Sequence, residues 1–314
     1  MIRPRGTILC AGNLVLDILV RTVDNPRYGA TTWVGHIEES LGGNASNTSY
    51  ALARLGIPVR VMGAVGRDDS GDRVLGKLAE AGVDLSAVAR TGAATATGVS
   101  LVASTGERCL LLQPGASREA LSAPMDPAAF RDGAHLHLAN PFGLAAMRPL
   151  AAGNLERARQ AGLTTSIDAA WDPMDEWMRM LGPSLPHTDL LLLNTEEARM
   201  LSGHDRPEAA GAFLQQCGVG VVVVKLGERG CAVFSGAEAI QSPGFAVQVV
   251  DTTGAGDCFA AGFLAALHKG ASYAAAARFA NAVGALSVSR LGSVTGLLSY
   301  SDTEAWMERQ LSNP

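Results

Sequence analysis

The run Val219-Gly220-Val221-Val222-Val223-Val224-Lys225-Leu226 constrains this chain most. A strand with almost no polar alternation is buried on both faces, and sheets covered on both faces are built from parallel strands with helical crossovers. The surrounding sequence has the matching rhythm. Residues 134–139, 164–168, 189–193, 230–234 and 248–250 read as further strands, while 148–161, 195–201, 207–217, 257–268 and 272–287 carry helical spacing. Nearer the start, Ile8 to Val20 reads as one buried strand with Asn13 and Asp17 embedded in it. Val59 to Val65 reads as another, followed by a helix from Asp68-Asp69-Ser70-Gly71 to Ala81. Repeated strand and helix units imply an α/β fold, a doubly wound, mostly parallel sheet with helices on both faces.

Two stretches do not fit that rhythm. Thr31, Trp33, Val34 and Ile37 suggest short strands, and the runs 97–104 and 109–113 are joined by Thr105-Gly106-Glu107-Arg108. Such hairpin grammar has no place between the crossovers of a parallel sheet. The expectation is a single domain over 1–314, with a small antiparallel β-sheet lid formed by about 21–41 and 94–118.

A net charge of -5 and scattered basic residues exclude an electrostatic case for nucleic acid. The five cysteines stand far apart without CxxC spacing, which argues against zinc and disulfides and for a reducing compartment. No apolar run is long enough to span a bilayer, and the start lacks the pattern of a signal peptide, so the expected location is cytoplasmic, away from membranes. His135 and His137 share a strand face without a carboxylate or cysteine at ligand spacing, and are expected to be sheet-face residues, not a metal pair. Trp171, Met174, Trp177, Met178 and Met180 read as packing residues.

Candidate chemistry concentrates at strand ends. Asp251-Thr252-Thr253-Gly254-Ala255-Gly256-Asp257 leads from an apolar run into an apolar helix, the grammar of strand, tight loop and helix. Glycines allow close approach of a ligand, and helix N-termini present free N–H groups and a positive dipole end, so the corner suits a phosphate. A carboxylate there, Asp257, repels such a ligand unless a cation or a proton transfer makes it useful. Phosphoryl transfer to an alcohol supplies that use. Gly42-Gly43-Asn44-Ala45-Ser46-Asn47 opens a second helix that closes at Gly56, with ordinary capping as the competing explanation. Asn194 and Glu197 lie one helical turn apart beyond another strand, a spacing that lets both face phosphates or water-bound Mg²⁺. No Walker-type loop is present.

With these segments the chain resembles the ribokinase-like, or phosphofructokinase B, carbohydrate kinases over nearly its whole length. The 42–56 segment is similar to the family's N-terminal signature and 251–257 to its C-terminal one. The resemblance implies an α/β core with a β lid, ATP as phosphoryl donor and Mg²⁺. It implies Asp257 as base and the amides of Gly254, Ala255 and Gly256 as anion hole. Asn13, Asp17, Gly42, Gly43 and Asn47 are implied for the acceptor, and Asn194 with Glu197 for phosphates and water-mediated Mg²⁺. Lys225, Gly227 and Gly230 match the nucleotide loop, Asn281 falls where adenine is contacted, and Asp251, Thr253 and Gly292 fall where some members bind K⁺. Asn13 stands at a position that varies with the acceptor, and 140–143 holds no residue assignable to a particular sugar, so acceptor identity stays open. A primary alcohol of a small sugar is the leading expectation. A nucleoside kinase of the same fold is the near rival, disfavoured by the few aromatics of the lid segments. A non-catalytic sugar- or nucleotide-sensing protein is the rival of another class. Exposed lid strands also suggest a homodimer.

Overall fold

The apolar runs of the sequence become strands of a computed structural model that describes residues 6–105 and 108–312. In chain order they are β1 (Thr7–Gly12), β2 (Val15–Arg21), β3 (His36–Gly42), β4 (Val59–Gly66), β5 (Asp84–Thr91), β6 (Ala96–Val102) and β7 (Arg108–Gln113). After these come β8 (Gly133–Ala139), β9 (Thr164–Asp168), β10 (Leu190–Asn194), β11 (Val221–Lys225), β12 (Cys231–Ser235) and β13 (Glu238–Ser242). The helices are α1 (Asn44–Arg54), α2 (Asp69–Glu80), α3 (Ala151–Gln160), α4 (Met178–Leu181), α5 (Thr195–Ser202) and α6 (Pro207–Gln216). The last three are α7 (Ala255–His268), α8 (Tyr273–Val288) and α9 (Tyr300–Ser312).

Nine of these strands form one sheet in the order β13-β12-β11-β10-β9-β8-β1-β4-β5. Every neighbouring pair from β11 to β5 is parallel, and β12 and β13 add an antiparallel edge. Side chains of the central strands alternate between two cores. Leu190, Leu192, Val221 and Val223 pack with α1, α2, α7 and α8, whereas Leu191, Leu193, Val222 and Val224 pack with residues of α3, α5 and α6. That division is the reason the valine run carries no polar alternation: each face meets its own layer of helices. Among the described residues no helix is long and apolar enough to cross a membrane.

The second sheet has the order β3-β2-β6-β7. It is mixed and not wholly antiparallel, because β2 and β6 pair in parallel. They follow β1 and β5, which run the same way in the large sheet, so they leave it in the same direction. The hairpin turn expected at Gly106-Glu107 lies outside the described residues.

Other expectations change too. Ile8 to Val20 is two strands, broken at Asn13-Leu14 where the chain passes from one sheet to the other. Both halves are largely buried, so hydrophobicity alone carries no mark of the break. Residues 248–250 form no strand. Val249 is exposed, and the Val250 N–H donates to the carbonyl of Val288 at the end of α8. The β5 and β13 edge strands and α9 have no counterpart in the sequence reading.

Candidate active site

Parallel strands bring their carboxyl ends to one edge, and ligands bind such sheets there. Here β1, β8, β9, β10 and β11 deliver Asn13, Asn140, Asp168, Asn194 and Lys225 to that edge. The N-termini of α1 and α7 meet beside them. Helix α7 starts on Gly254, whose φ of 72° is left-handed, with no side chain capping the helix. A Cβ at Gly254 would stand 2.6 Å from the Ser293 Cβ, so glycine is required there on both counts. The Ala255 amide donates to the Thr252 carbonyl at 3.3 Å. Those of Gly254, Gly256 and Asp257 have no protein acceptor among the described residues.

Asp257 lies in the first turn of α7 and is only 6% exposed. Asn44 Nδ2 donates to its Oδ1 and Asn47 Nδ2 to its Oδ2, both at 2.8 Å. The two signature segments are thus joined through the carboxylate. Asn44 is itself fixed: its N–H donates to Asn13 Oδ1 at 3.1 Å and its Oδ1 accepts from Asn140 Nδ2 at 3.0 Å. Asn47 Oδ1 accepts from Ser293 Oγ at 2.9 Å. Both polar ends of the Asn47 side chain are therefore engaged within the protein, and it holds Asp257 in place.

Burial pushes the Asp257 carboxyl up to about 7, and the negative charge of Asp168 adds to the effect, while Asn47, Asn44 and Lys225 oppose it. A carboxyl that titrates near neutrality suits general base work. Lys225 Nζ lies 2.8 and 3.1 Å from the two oxygens of the buried Asp168. Burial also raises Glu197, with Lys225 opposing. Asp168 is the functional candidate that motif reading passed over, although its place as the last residue of β9 marks it by the same rule that marks Asn194 and Lys225.

Residues 7–299 match the description "pfkB family carbohydrate kinase". The chain belongs to the pfkB family. An ATP-dependent ribose-1-phosphate kinase of Halopiger xanaduensis is 33% identical over 91% of this chain and 93% of its own length. Among solved structures, Arabidopsis thaliana ribokinase complexed with ribose and ATP superposes with a TM-score of 0.86 at 26% identity, covering 97% of this chain and 99% of that one. An E. coli protein in complex with ATP and Mg²⁺ superposes at 0.84 and 25% identity, over 97% and 99% of the two chains. The large parallel sheet with its small separate sheet is the ribokinase fold.

The remaining candidates of this pfkB-family kinase fall into four places. In the small sheet Asp17 lies across Gly42 and Gly98, where an added Cβ would meet its carboxylate at 2.3 Å in either case. Gly43 is the N-cap of α1. At the start of α5, Asn194 and Glu197 form a reciprocal capping box. Asn194 Oδ1 accepts from the Glu197 N–H at 2.8 Å, and Glu197 accepts from the Asn194 N–H at 2.8 Å and Nδ2 at 2.7 Å. Their side chains face each other. Gly227 and Gly230 shape the turn between β11 and β12, but the Lys225 ammonium points away from that turn, toward Asp168 and Gly256. Asn281 Nδ2 donates to Ser242 O, Ser242 Oγ and Pro243 O at 3.0–3.1 Å, tying α8 to the end of β13. Finally, Asp251 accepts from Thr253 N, Thr253 Oγ1 and Gly292 N at 2.7–3.0 Å, so those three residues share one loop junction.

His135 and His137 both hydrogen-bond Ser166 Oγ, at 2.6 and 2.7 Å, and burial keeps both neutral, as expected of sheet-face residues. Trp177 packs in the core, but Trp171 and Met174 are 57% and 63% exposed, contrary to a packing role. The Trp171 ring sits edge-on against Trp177, which sits edge-on against Phe142, two residues from Asn140. A cavity of about 610 Å³ between Thr195, Arg206, Arg229 and Pro243 has none of the residues around Asp257 in its wall.

Proposed function

We propose that this pfkB-family kinase transfers the γ-phosphoryl group of ATP to a primary hydroxyl of a small sugar or sugar-like acceptor, with Asp257 as general base. The observation that carries the proposal is the environment of Asp257. A buried carboxyl that titrates near 7 is held by two amides at the mouth of an uncapped helix. The acceptor hydroxyl gives its proton to a carboxylate oxygen as its own oxygen attacks. The N–H groups of 254–256 stabilise charge on the transferring group, with Ala255 turned from Thr252 to join them. Positioning supplies much of the rest. Asp17, Asn13, Gly42, Gly43 and Asn47 surround the acceptor, with the small sheet as its lid on a single kinase domain. The side of the edge between Lys225, Gly227, Gly230 and Asn281 takes the nucleotide.

Magnesium neutralises charge on the phosphates when bound. The residues present fit it: Asp168, Glu197 and Asp257 are buried carboxyl groups set around one largely buried ammonium, Lys225, an excess of negative charge that a divalent cation balances. Glu197, oriented by Asn194, would hold it through water. Asp251, Thr253 and Gly292 mark the place for K⁺, which would tighten the loop leading into α7. The small sheet ends in the strand β7, whose Leu110, Leu111 and Leu112 are all exposed, and this supports pairing with a second copy. The setting proposed is the cytoplasm.

One observation favours a second reading, a nucleoside acceptor. The Phe142, Trp177 and Trp171 series beside Asn140 ends in an exposed indole, a surface suited to a planar base. An ADP-release screen over pentoses, hexoses, sugar phosphates, keto-sugar acids and nucleosides, with and without K⁺, tests both. Turnover with a sugar or sugar phosphate is expected, and turnover confined to nucleosides would select the second. No turnover with any acceptor would remove the kinase assignment and revive a sensing role.

A further inference from the structure

The Lys225 ammonium lies in an unusual place. Its side chain is only 13% exposed, grips both oxygens of Asp168, and would stand 3.2 Å from a Cβ at Gly256. Lysine is a flexible point charge, and one left alone at this edge would distribute over several rotamers. The carboxylate beneath it removes that freedom, and the absent side chain at Gly256 leaves the ammonium against the backbone of the first turn of α7. We propose that Asp168 is a positioning residue: its carboxylate seats the Lys225 ammonium on the bare face of Gly256, so that one fixed cation and the α7 amides bear on the same phosphoryl group. The proposal rests on the kinase reading above. Asp168 touches no reacting atom and reaches the phosphoryl group through Lys225.

The arrangement has a second effect, on the base. The groups that act on Asp257 are Asp168 on β9, which raises it, and Lys225 on β11, which lowers it. Asn44 and Asn47 on α1 hold it without titrating. The thiols of Cys10 on β1 and Cys258 on α7 are neutral, since burial raises both. Glu197 on α5 interacts with Lys225, and His137 on β8 is kept neutral by burial and by Lys225. Replacing Asp168 by a neutral residue therefore removes the charge that raises Asp257 and leaves Lys225 free to lower it further. Both changes move the base in the same direction.

The test uses the full chain with ATP, Mg²⁺ and whichever acceptor the screen identifies. For Asp168→Asn, kcat is expected to fall about 10- to 100-fold with acceptor KM within about threefold. The acidic limb of the pH–rate profile should move to lower pH. In the Lys225→Met background the same substitution, measured at a pH above the acidic limb, should change kcat by less than about threefold, because a residue that positions Lys225 has nothing left to position. Asp168→Glu keeps the charge and displaces the ammonium, so it should lower kcat while leaving the acidic limb in place. This variant carries the test if Asp168→Asn does not fold. A wild-type kcat in either variant, an unmoved limb in Asp168→Asn, or losses that multiply fully in the double variant would overturn the proposal. An inactive wild-type protein would instead sink the kinase reading, so the two failures are distinct.

Discussion

Helices α5 and α7 begin at the same edge of the sheet, and both place an acidic residue three positions beyond the N-cap, Glu197 and Asp257. Their ends are opposite in character. At α5 the N-cap is Asn194, and the two side chains exchange hydrogen bonds with each other's backbone amides, so the helix closes on itself. At α7 the N-cap is Gly254, which has no side chain to offer. Asp257 reaches across to Asn44 and Asn47 of α1, and the amides beneath it stay open. The residue at the N-cap, more than the acid itself, decides whether a helix end closes on itself or leaves its amides open.

The hardest way to break this comparison is to neutralise the open end's acid. Asp257→Asn is expected to lower kcat by about 10² to 10⁴-fold with ATP affinity kept within a few-fold, measured by ADP release and nucleotide titration. A kcat within tenfold of wild type would remove Asp257 as base. Next in size is the effect of pH on the wild-type enzyme. Because Asp257 is raised to about 7, kcat/KM should fall about tenfold per unit below that value. Stability moves with the opposite sign from the usual aspartate. The folded protein keeps this proton up to about 7, whereas the unfolded chain releases it near 4, so this group's contribution declines as pH rises between them. The Tm of Asp257→Asn relative to wild type should therefore be more favourable at pH 8 than at pH 5.

A smaller effect is expected where the open end is crowded. Gly254→Ala forces a Cβ into a left-handed position against Ser293, and should destabilise by about 1–3 kcal/mol in urea titration while lowering kcat. The smallest belongs to the closed ends. Asn194→Ala should lose about 0.5–2 kcal/mol of stability, and Ser272→Ala, which uncaps α8 away from the site, about 1 kcal/mol without altering kcat. If Asn194→Ala reduced kcat as far as Asp257→Asn, the distinction between closed and open helix ends would collapse.

The same contrast explains what could be read from the chain. Parallel strands buried on both faces announce themselves as valine and leucine runs, and the open helix end announces itself by glycines before an acid. Edge strands do not. β5 has no fully buried residue and β13 is mostly exposed, so neither shows a hydrophobic period. Residues 248–250 mislead in the other direction, because β-branched residues docked on a helix end look like a strand. Asp168 lacks a glycine or helix start beside it, and only the strand order brings it to Lys225. The spacing of Asn194 and Glu197 suits both a phosphate site and a capping box, and only the hydrogen bonds reveal the capping box.

Two residues, Asn13 and Leu14, are the whole of the link between β1 and β2, and β3 runs into α1 with only Gly43 between. The small sheet is thus rooted directly on Asn13 and Asn44, the pair that sets the angle of the base. Its far rim, around residues 22–35 and 103–104, lies at the opposite end of those strands. Drift or insertion at the rim can reshape what the sheet covers or whom it meets, while a single slip at the roots is transmitted to Asp257 through one hydrogen bond from Asn44 or two from Asn13. The architecture separates a surface free to diversify from a fulcrum that is not.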